Sequence, residues 1–529
     1  MQLLGLNFIG KKFSGNGKEI FNAVNPRLNK KMEPDFHEAT AEEIDNAVRL
    51  TEEAFKDYRN KSGKDKANFL NTIADEIIEL GDELIKRCCD ETALPEARIT
   101  GERSRAVNQL RLFAELLRDG SWVEARIDTA DQQRQPLPKP DIRSMKKALG
   151  PVGIFGASNF PLAFSVAGGD TASALAAGCT IVVKAHPAHP GTCELIGNAI
   201  KAAVEKSDMP NGTFSMVHGI STEVGMAIVK HPLIKAIGFT GSFRGGKAIY
   251  DAAVQRPEPI PVFAEMGSSN PVFILPGAMK SRKKEIASGL AASVTLGVGQ
   301  FCTNPGLVFY ENLSGIKEFQ KSLAENFNSI TADSMLTSGI NNAYKTSIEN
   351  MKKRKDIQIL AEGKSQNAAN EGAAYLMQTN SEDFLKDEQL EKEIFGPSTL
   401  NVKVNNKSEL LKIAEKLNGH LTVTLHATDE DLKNYSELIS VLERKAGRLI
   451  INGFPTGVEV CHSIVHGGPF PATTDSHITS VGTLAINRFS RPVCYQNFPD
   501  EFLPDELKNR NPLQIWRLVN GKMGNGEIR

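Results

Sequence analysis

From residue 150 to about residue 460 the chain repeats one rhythm: a short apolar run, a turn, then a helical stretch. Runs at 152–155, 181–183, 213–217 and 237–239 alternate with helical stretches near 170–176, 192–205 and 222–229. Alternation of this kind forces right-handed crossovers, so the strands lie parallel and helices cover both sheet faces. A second series begins at 272–275, passes through a helix over 282–298 and a strand at 307–310, and ends near 460. The break near residue 265 predicts a domain boundary, and a chain of 529 residues has enough apolar residues to fill more than one core. The expected fold class is α/β.

Before this series, apolar residues at helical spacing predict a helix over 41–58, with Thr40 as its cap. Two more helices are predicted over 66–89 and 102–117. Between 119 and 147 the periodicity gives way to Asp, Gln, Arg and Pro; with the strand-like Ser121-Trp122-Val123, this segment predicts an extended arm reaching another subunit. The tail from Thr483 predicts a second arm packing back.

Sixty-two basic against 63 acidic residues leave a net charge of -1, without the electrostatic footprint for nucleic acid or an anionic membrane. The uncharged stretch 148–169 carries Pro151, Pro161, Asn159 and several glycines, so it predicts a buried strand and turn, not a membrane span. The opening residues lack the basic lead of a signal peptide. Seven irregularly spaced cysteines point to a reducing compartment, and a cytoplasmic location is expected. His186 and His189 have no third ligand spaced near them, so no metal is expected.

Cys302 lies in Gly299-Gln300-Phe301-Cys302-Thr303-Asn304-Pro305-Gly306. Flanking glycines let another group approach the backbone, which a nucleophilic thiol needs; the plainer reading is a buried cysteine acting as a small hydrophobe. Glu265 follows the apolar Val262-Phe263-Ala264, where a strand-end carboxylate can face a cleft and activate water, or can be a solvated turn residue. Asn159 follows the strand at 152–155, where its amide can donate to an oxyanion or simply shape a turn. Lys184 closes the strand at 181–183, a position suited to ribose or phosphate contact. Phe239-Thr240-Gly241-Ser242-Phe243-Arg244-Gly245-Gly246 is a glycine-rich turn able to hold phosphate on its amides, although it is not GxGxxG.

Taken in order, Ser158-Asn159-Phe160-Pro161, Val183-Lys184, Phe239-Thr240-Gly241-Ser242, Glu265-Met266-Gly267, Gly299-Gln300-Phe301-Cys302 and Glu393-Ile394-Phe395-Gly396-Pro397 resemble the aldehyde dehydrogenase superfamily over nearly the whole chain. Three further segments, 184–192, 467–475 and 491–497, are similar to one subgroup. It holds the α-ketoglutarate semialdehyde (2,5-dioxopentanoate) dehydrogenases and a related NADP-dependent bacterial fatty aldehyde dehydrogenase.

The resemblance implies a Rossmann-like cofactor domain (1–120 and 151–264), an α/β catalytic domain (265–460), and an oligomerisation arm and tail (121–150 and 483–529). It implies that Cys302 attacks the aldehyde to form a thiohemiacetal, that Asn159 and the Cys302 amide stabilise its oxyanion, and that hydride then leaves for a nicotinamide. Glu265 would activate water against the resulting thioester. Glu393 would hold the nicotinamide ribose and Phe395 would pack near the ring; Lys184 would reach the adenosine ribose and Ser242 the pyrophosphate, with Gly241 and Gly246 allowing close approach.

Pro187 stands where many NAD-preferring relatives carry a glutamate, so Lys184 and His186 could meet a 2′-phosphate, and NADP is expected over NAD. Ser158, Met266-Gly267-Ser268 and Thr295 depart from the family pattern and are expected to alter pocket shape. The expected substrate is 2,5-dioxopentanoate, with Arg105 and Arg111 as candidate cations for its carboxylate. The rivals are a medium- or long-chain fatty aldehyde dehydrogenase and a cysteine esterase without redox turnover. The resemblance implies a homo-oligomer, dimer or tetramer, through the arm and tail.

Overall fold

The computed structural model describes residues 2–312 and 315–528. One seven-stranded sheet runs, edge to edge, Val262–Glu265, Ala236–Thr240, Val152–Phe155, Ile181–Lys184, Phe214–Val217, Asn7–Ile9 and Lys12–Ser14. The first five strands are parallel. Their side chains alternate between two helical layers, as the pleat requires. Ile181 and Val183 pack among Leu175, Ile200 and Phe69, whereas Val182 packs with Ile44, Val48 and Ile228.

The parallel part of this sheet starts at Val152–Phe155, steps outward through the next two strands, then crosses back to Ala236–Thr240. The strand order therefore reverses beside Val152–Phe155. Such a switch point opens a crevice at the carboxyl ends of the strands. Asn159, Lys184, Gly241 and Ser242 all follow or end strands at that side of the sheet.

A second seven-stranded sheet runs Gln358–Glu362, Tyr375–Asn380, Ser398–Val404, Leu307–Glu311, Val272–Ile274, His420–His426 and Ala446–Ile451. It is parallel except for its edge strand Gln358–Glu362. The arm and the tail fold onto each other in a five-stranded sheet, with Ser490 opposite Ala148 and Gln496 opposite Ile142.

The local chemistry accounts for most helix ends. Thr40 caps Ala41–Tyr58 by a reciprocal exchange: its hydroxyl accepts from the Glu43 amide at 3.2 Å and its own amide donates to the Glu43 carboxylate at 2.9 Å. The helix expected over 66–89 is two helices, Gly63–Glu79 and Gly81–Thr92, because Gly81 takes φ +55 and breaks the run. The third helix is longer than expected, Glu96–Asp119, and stops at Gly120 in the left-handed region. The helix expected over 282–298 starts at Pro276, whose fixed φ suits a first turn, and ends at Thr295.

One further expectation is corrected, and the lead adds elements that were not anticipated. Ser121–Val123 is a single 3-10 turn, held between left-handed Gly120 and Glu124, and not a strand. The polar lead forms two hairpins, Asn7–Ile9 with Lys12–Ser14 and Ile20–Asn25 with Lys30–His37. The first of these pairs with Phe214–Val217, two hundred residues away, a contact that short strands do not announce. No helix is long and apolar enough to cross a membrane among the described residues.

Candidate active site

The loop carrying Cys302 is shaped by backbone that few residues tolerate. After Thr295, Gly297, Val298 and Gly299 all take positive φ, and a Cβ on Gly299 would stand 2.2 Å from the Gly396 carbonyl carbon. The loop thereby presses onto Gly396-Pro397 and leaves Cys302 half-buried. Asn270 holds the turn from beneath, its amide donating to the carbonyls of Cys302 (2.8 Å), Ser268 (2.9 Å) and Asn304 (3.0 Å). The Cys302 N–H makes no hydrogen bond among the described residues.

Glu265 ends the edge strand Val262–Glu265 of the first sheet, and the segment around 472–474 runs along that strand's open side. The Met266 amide donates to Ala472 O at 2.8 Å and the Thr474 amide to Ala264 O at 3.1 Å. This segment brings His466 and Ser480 with it. His466 Nε2 stands 3.6 Å from Cys302 Sγ and 3.2 Å from Glu265 Oε1, and Ser480 donates to Glu265 Oε2 at 2.8 Å. Glu265 and His466 are both buried.

Burial pushes the Glu265 carboxyl up, but the adjoining His466 imidazole and the hydrogen bonds from His466, Ser480 and Cys302 outweigh it, so its pKa is lowered. The Cys302 thiol is pushed well up, first by burial and then by the Glu265 charge, with Arg105 opposing. Glu265, Cys302 and His466 offer three ligand atoms within 4.8 Å of one another. The set has metal-ligand spacing as well as the reach needed for proton transfer.

Asn159 lies on the opposite wall. Its amide donates to Gln300 O at 3.0 Å, two residues before the thiol, and Arg98 donates to its backbone carbonyl at 2.7 Å. One Asn159 N–H remains unspent, as does the Cys302 N–H. Phe160, Phe164, Phe301, Val458, Val460 and Ile464 form an apolar cluster around Cys302.

The remaining candidates line the crevice beyond. Lys184 makes no hydrogen bond among the described residues, and burial lowers its pKa to about 8, against the pull of Cys193 and Glu38. Glu38 itself is occupied, accepting from the amides of Ile220 (2.7 Å) and Ser221 (3.0 Å). His186 accepts from the Ala188 amide on Nδ1 and is kept neutral by burial and by the neighbouring His189 and Lys184. Ser242 caps the helix Phe243–Val254 and is exposed at its amino end. Gly246 lies against Met266, whose Cγ would be 2.5 Å from an added Cβ. Glu393 rides over Gly267 (φ +100), with Oε2 only 2.3 Å from where a Cβ would sit. Glu393 and Phe395 line one cavity with Ser268, Gly299 and Asn304.

Two sequence expectations fail here. Arg111 is exposed and paired with Asp75 at 3.0 Å, away from the thiol. Thr295 lines a separate cleft with Leu94, Pro95 and Pro397, so it does not shape the pocket at Cys302. Sequence reasoning missed His466, Ser480 and Asn270 as site residues. Their only signal was proximity to quoted motifs: His466 directly precedes Gly467-Gly468, and Asn270 follows Glu265 by five positions.

The sequence profile of the Aldehyde dehydrogenase family matches residues 13–469. Alpha-ketoglutaric semialdehyde dehydrogenase 2 of Azospirillum brasilense is 47% identical over 523 residues, 99% of this chain and 100% of that protein. Alpha-ketoglutaric semialdehyde dehydrogenase of Acinetobacter baylyi is 46% identical, covering 92% of each chain. Betaine aldehyde dehydrogenase of Staphylococcus aureus, solved in complex with NAD+, superposes with a TM-score of 0.80 at 18% identity, over 94% of this chain and 96% of that one.

Proposed function

The chain belongs to the aldehyde dehydrogenase family, and we propose that it oxidises 2,5-dioxopentanoate (α-ketoglutarate semialdehyde) to 2-oxoglutarate through an adduct on Cys302. The observation that carries the chemistry is the convergence of Cys302 Sγ, His466 Nε2 and the Glu265 carboxylate within 4.8 Å. The near-full-length likeness to two semialdehyde dehydrogenases supports the substrate.

Cys302 Sγ bonds to the aldehyde carbon as the carbonyl electron pair moves onto oxygen. The thiol proton passes to Glu265, which already accepts the Cys302 hydrogen bond. The free N–H of Asn159 and that of Cys302 hold the oxyanion, donors fixed in advance and needing no reorganisation. NAD(P) held by Lys184 and the helix Phe243–Val254 would accept the hydride that leaves the adduct carbon as the oxyanion collapses to the Cys302 thioester. Once the thiol proton has passed from Glu265 to solvent, the carboxylate takes a proton from the water that attacks the Cys302 thioester, and the C–S bond breaks to release the thiolate and the acid, which gives its proton to solvent. His466, with one proton to share on Nε2, orients Glu265 toward the sulfur and can donate to the departing thiolate. This use of all three groups as nucleophile and bases is why we read the cluster as a proton path and not a metal site.

The crevice fits a dinucleotide. Lys184 offers an unspent ammonium, the helix Phe243–Val254 offers free amides behind Ser242, and Gly241, Gly246 and Gly267 keep the floor free of side chains. NADP is preferred over NAD: no carboxylate stands at Pro187, and Glu38, the acid nearest Lys184, is spent on backbone amides. His186, being neutral, contributes a hydrogen bond and not charge. Seven free cysteines support a cytoplasmic location.

The test is a panel of 2,5-dioxopentanoate, succinate semialdehyde, glutaraldehyde and hexanal with NADP and with NAD, followed by absorbance of reduced cofactor. The expected result is the highest kcat/KM for 2,5-dioxopentanoate with NADP, and no turnover by Cys302→Ala. Hexanal as the best substrate would favour the fatty aldehyde rival, and aldehyde-independent ester cleavage alone would favour a hydrolase.

A further inference from the structure

Arg105 projects from the helix Glu96–Asp119 over the apolar cluster, its guanidinium carbon 5.6 Å from the Phe160 ring and 5.1 Å from the Phe164 ring. Phe164 in turn lies 6.1 Å from His466, which touches Cys302. Arg105 Nε and Nη2 are buried without a hydrogen-bond partner, and no ion pair reaches Arg105 among the described residues. A buried guanidinium with unspent N–H groups is costly unless something binds it.

Arg448 comes from the other side, on the strand Ala446–Ile451 of the second sheet. It donates to Pro455 O at 2.9 Å and Gly457 O at 3.3 Å, pinning the loop whose Val458 and Val460 pack with Cys302. Its Nε is also buried and unpartnered. Arg105 and Arg448 both feel the charge of Cys302, and Arg448 feels that of Arg105. Arg105 thus lies on the phenyl rings of the apolar cluster that packs with Cys302, and Arg448 pins the loop that brings its valines.

We propose that Arg105 and Arg448 together grip the carboxylate at the far end of the substrate, so that the pocket selects short aldehydes ending in an anion. This deepens the semialdehyde reading and rests on it. The apolar walls suit the methylene carbons between the two ends, and the planar fork of each guanidinium suits a carboxylate. Glu459, exposed on the same loop, is the acidic group that would compete for Arg105 when the pocket is open.

The experiment compares kcat/KM for 2,5-dioxopentanoate with that for pentanal, a neutral aldehyde of equal length, in the full-length enzyme and in Arg105→Gln, Arg105→Lys and Arg448→Gln. The keto acid's advantage should fall about 10–100-fold in Arg105→Gln, carried by KM, and less in Arg105→Lys, which keeps the charge. Arg448→Gln should lower the same ratio. If Arg105→Gln does not fold, Arg105→Lys and Arg448→Gln carry the ratio by themselves. A ratio unchanged in all variants, or both substrates losing equally, overturns the proposal. An unmodified enzyme without any preference over pentanal would instead overturn the substrate assignment itself.

Discussion

Glu265 sets the behaviour of the sulfur beside it. Its charge helps burial keep the Cys302 thiol protonated, so the rate of alkylation by iodoacetamide should climb about tenfold per pH unit and still be rising at pH 9. Glu265→Gln removes that charge; alkylation at pH 8 should become severalfold faster, while steady-state turnover collapses and a thioester accumulates after one turnover. Slower alkylation in this variant would contradict the electrostatic coupling. Lys184 gives the second pH dependence. Burial has lowered its pKa to about 8, so the ammonium is charged below that value and lost above it, and NADP affinity should weaken as pH rises through about 8. Titrating both cofactors between pH 6.5 and 9.5 checks this, with NAD affinity expected to change less. Cys302, Glu265 and Asn159 were legible in sequence because each sits in a short motif whose neighbours are also constrained. His466 was not: it meets Glu265 only through a contact spanning 201 positions.

At the scale of elements, the segment running from His466 past Thr474 decides how the site is assembled. It supplies His466, runs beside the strand Val262–Glu265 and passes between the two large sheets. Gly468 makes that passage possible: at φ +153, a Cβ would lie 2.1 Å from the carbonyl oxygen of His420, in a buried strand. Neither backbone can yield, so Gly468→Ala should cost about 1–3 kcal/mol and lower kcat by displacing His466. Gly246→Ala should be milder, because its new methyl meets side chains and not backbone, the flexible Met266 first and the Phe239 ring at 3.1 Å. Melting temperatures of the two variants side by side test this contrast. The helices and strands of the first sheet were readable from periodicity, since both faces are buried and the apolar runs are nearly unbroken. The break at Gly81 and the hairpins before residue 40 were not, because one rests on a single dihedral angle and the others on distant partners.

For the whole molecule, the five-stranded sheet of arm and tail is the surface whose burial is incomplete. Phe502 is 70% exposed, Met523 63% and Trp516 51%. Large apolar groups standing in water support the homo-oligomer expected from the arm and tail, and we propose a second copy of the chain as what covers them. Trp516→Asp combined with Phe502→Asp should shift sedimentation from a dimer or tetramer toward the monomer. Unchanged sedimentation would move the contact elsewhere.

Sequence alone determined the parallel α/β architecture and singled out the proposed nucleophile and its carboxylate, because hydrophobic period and local motif are properties of contiguous residues. Tertiary structure alone decided which distant groups share the cleft. Four residues, His466 on the sulfur, Ser480 on the carboxylate and the proposed carboxylate-binding Arg105 and Arg448, come from three stretches of chain. The physical reason is that proton transfer and charge pairing act over a few ångströms of space, and nothing in the order of residues encodes that distance until the sheets have packed.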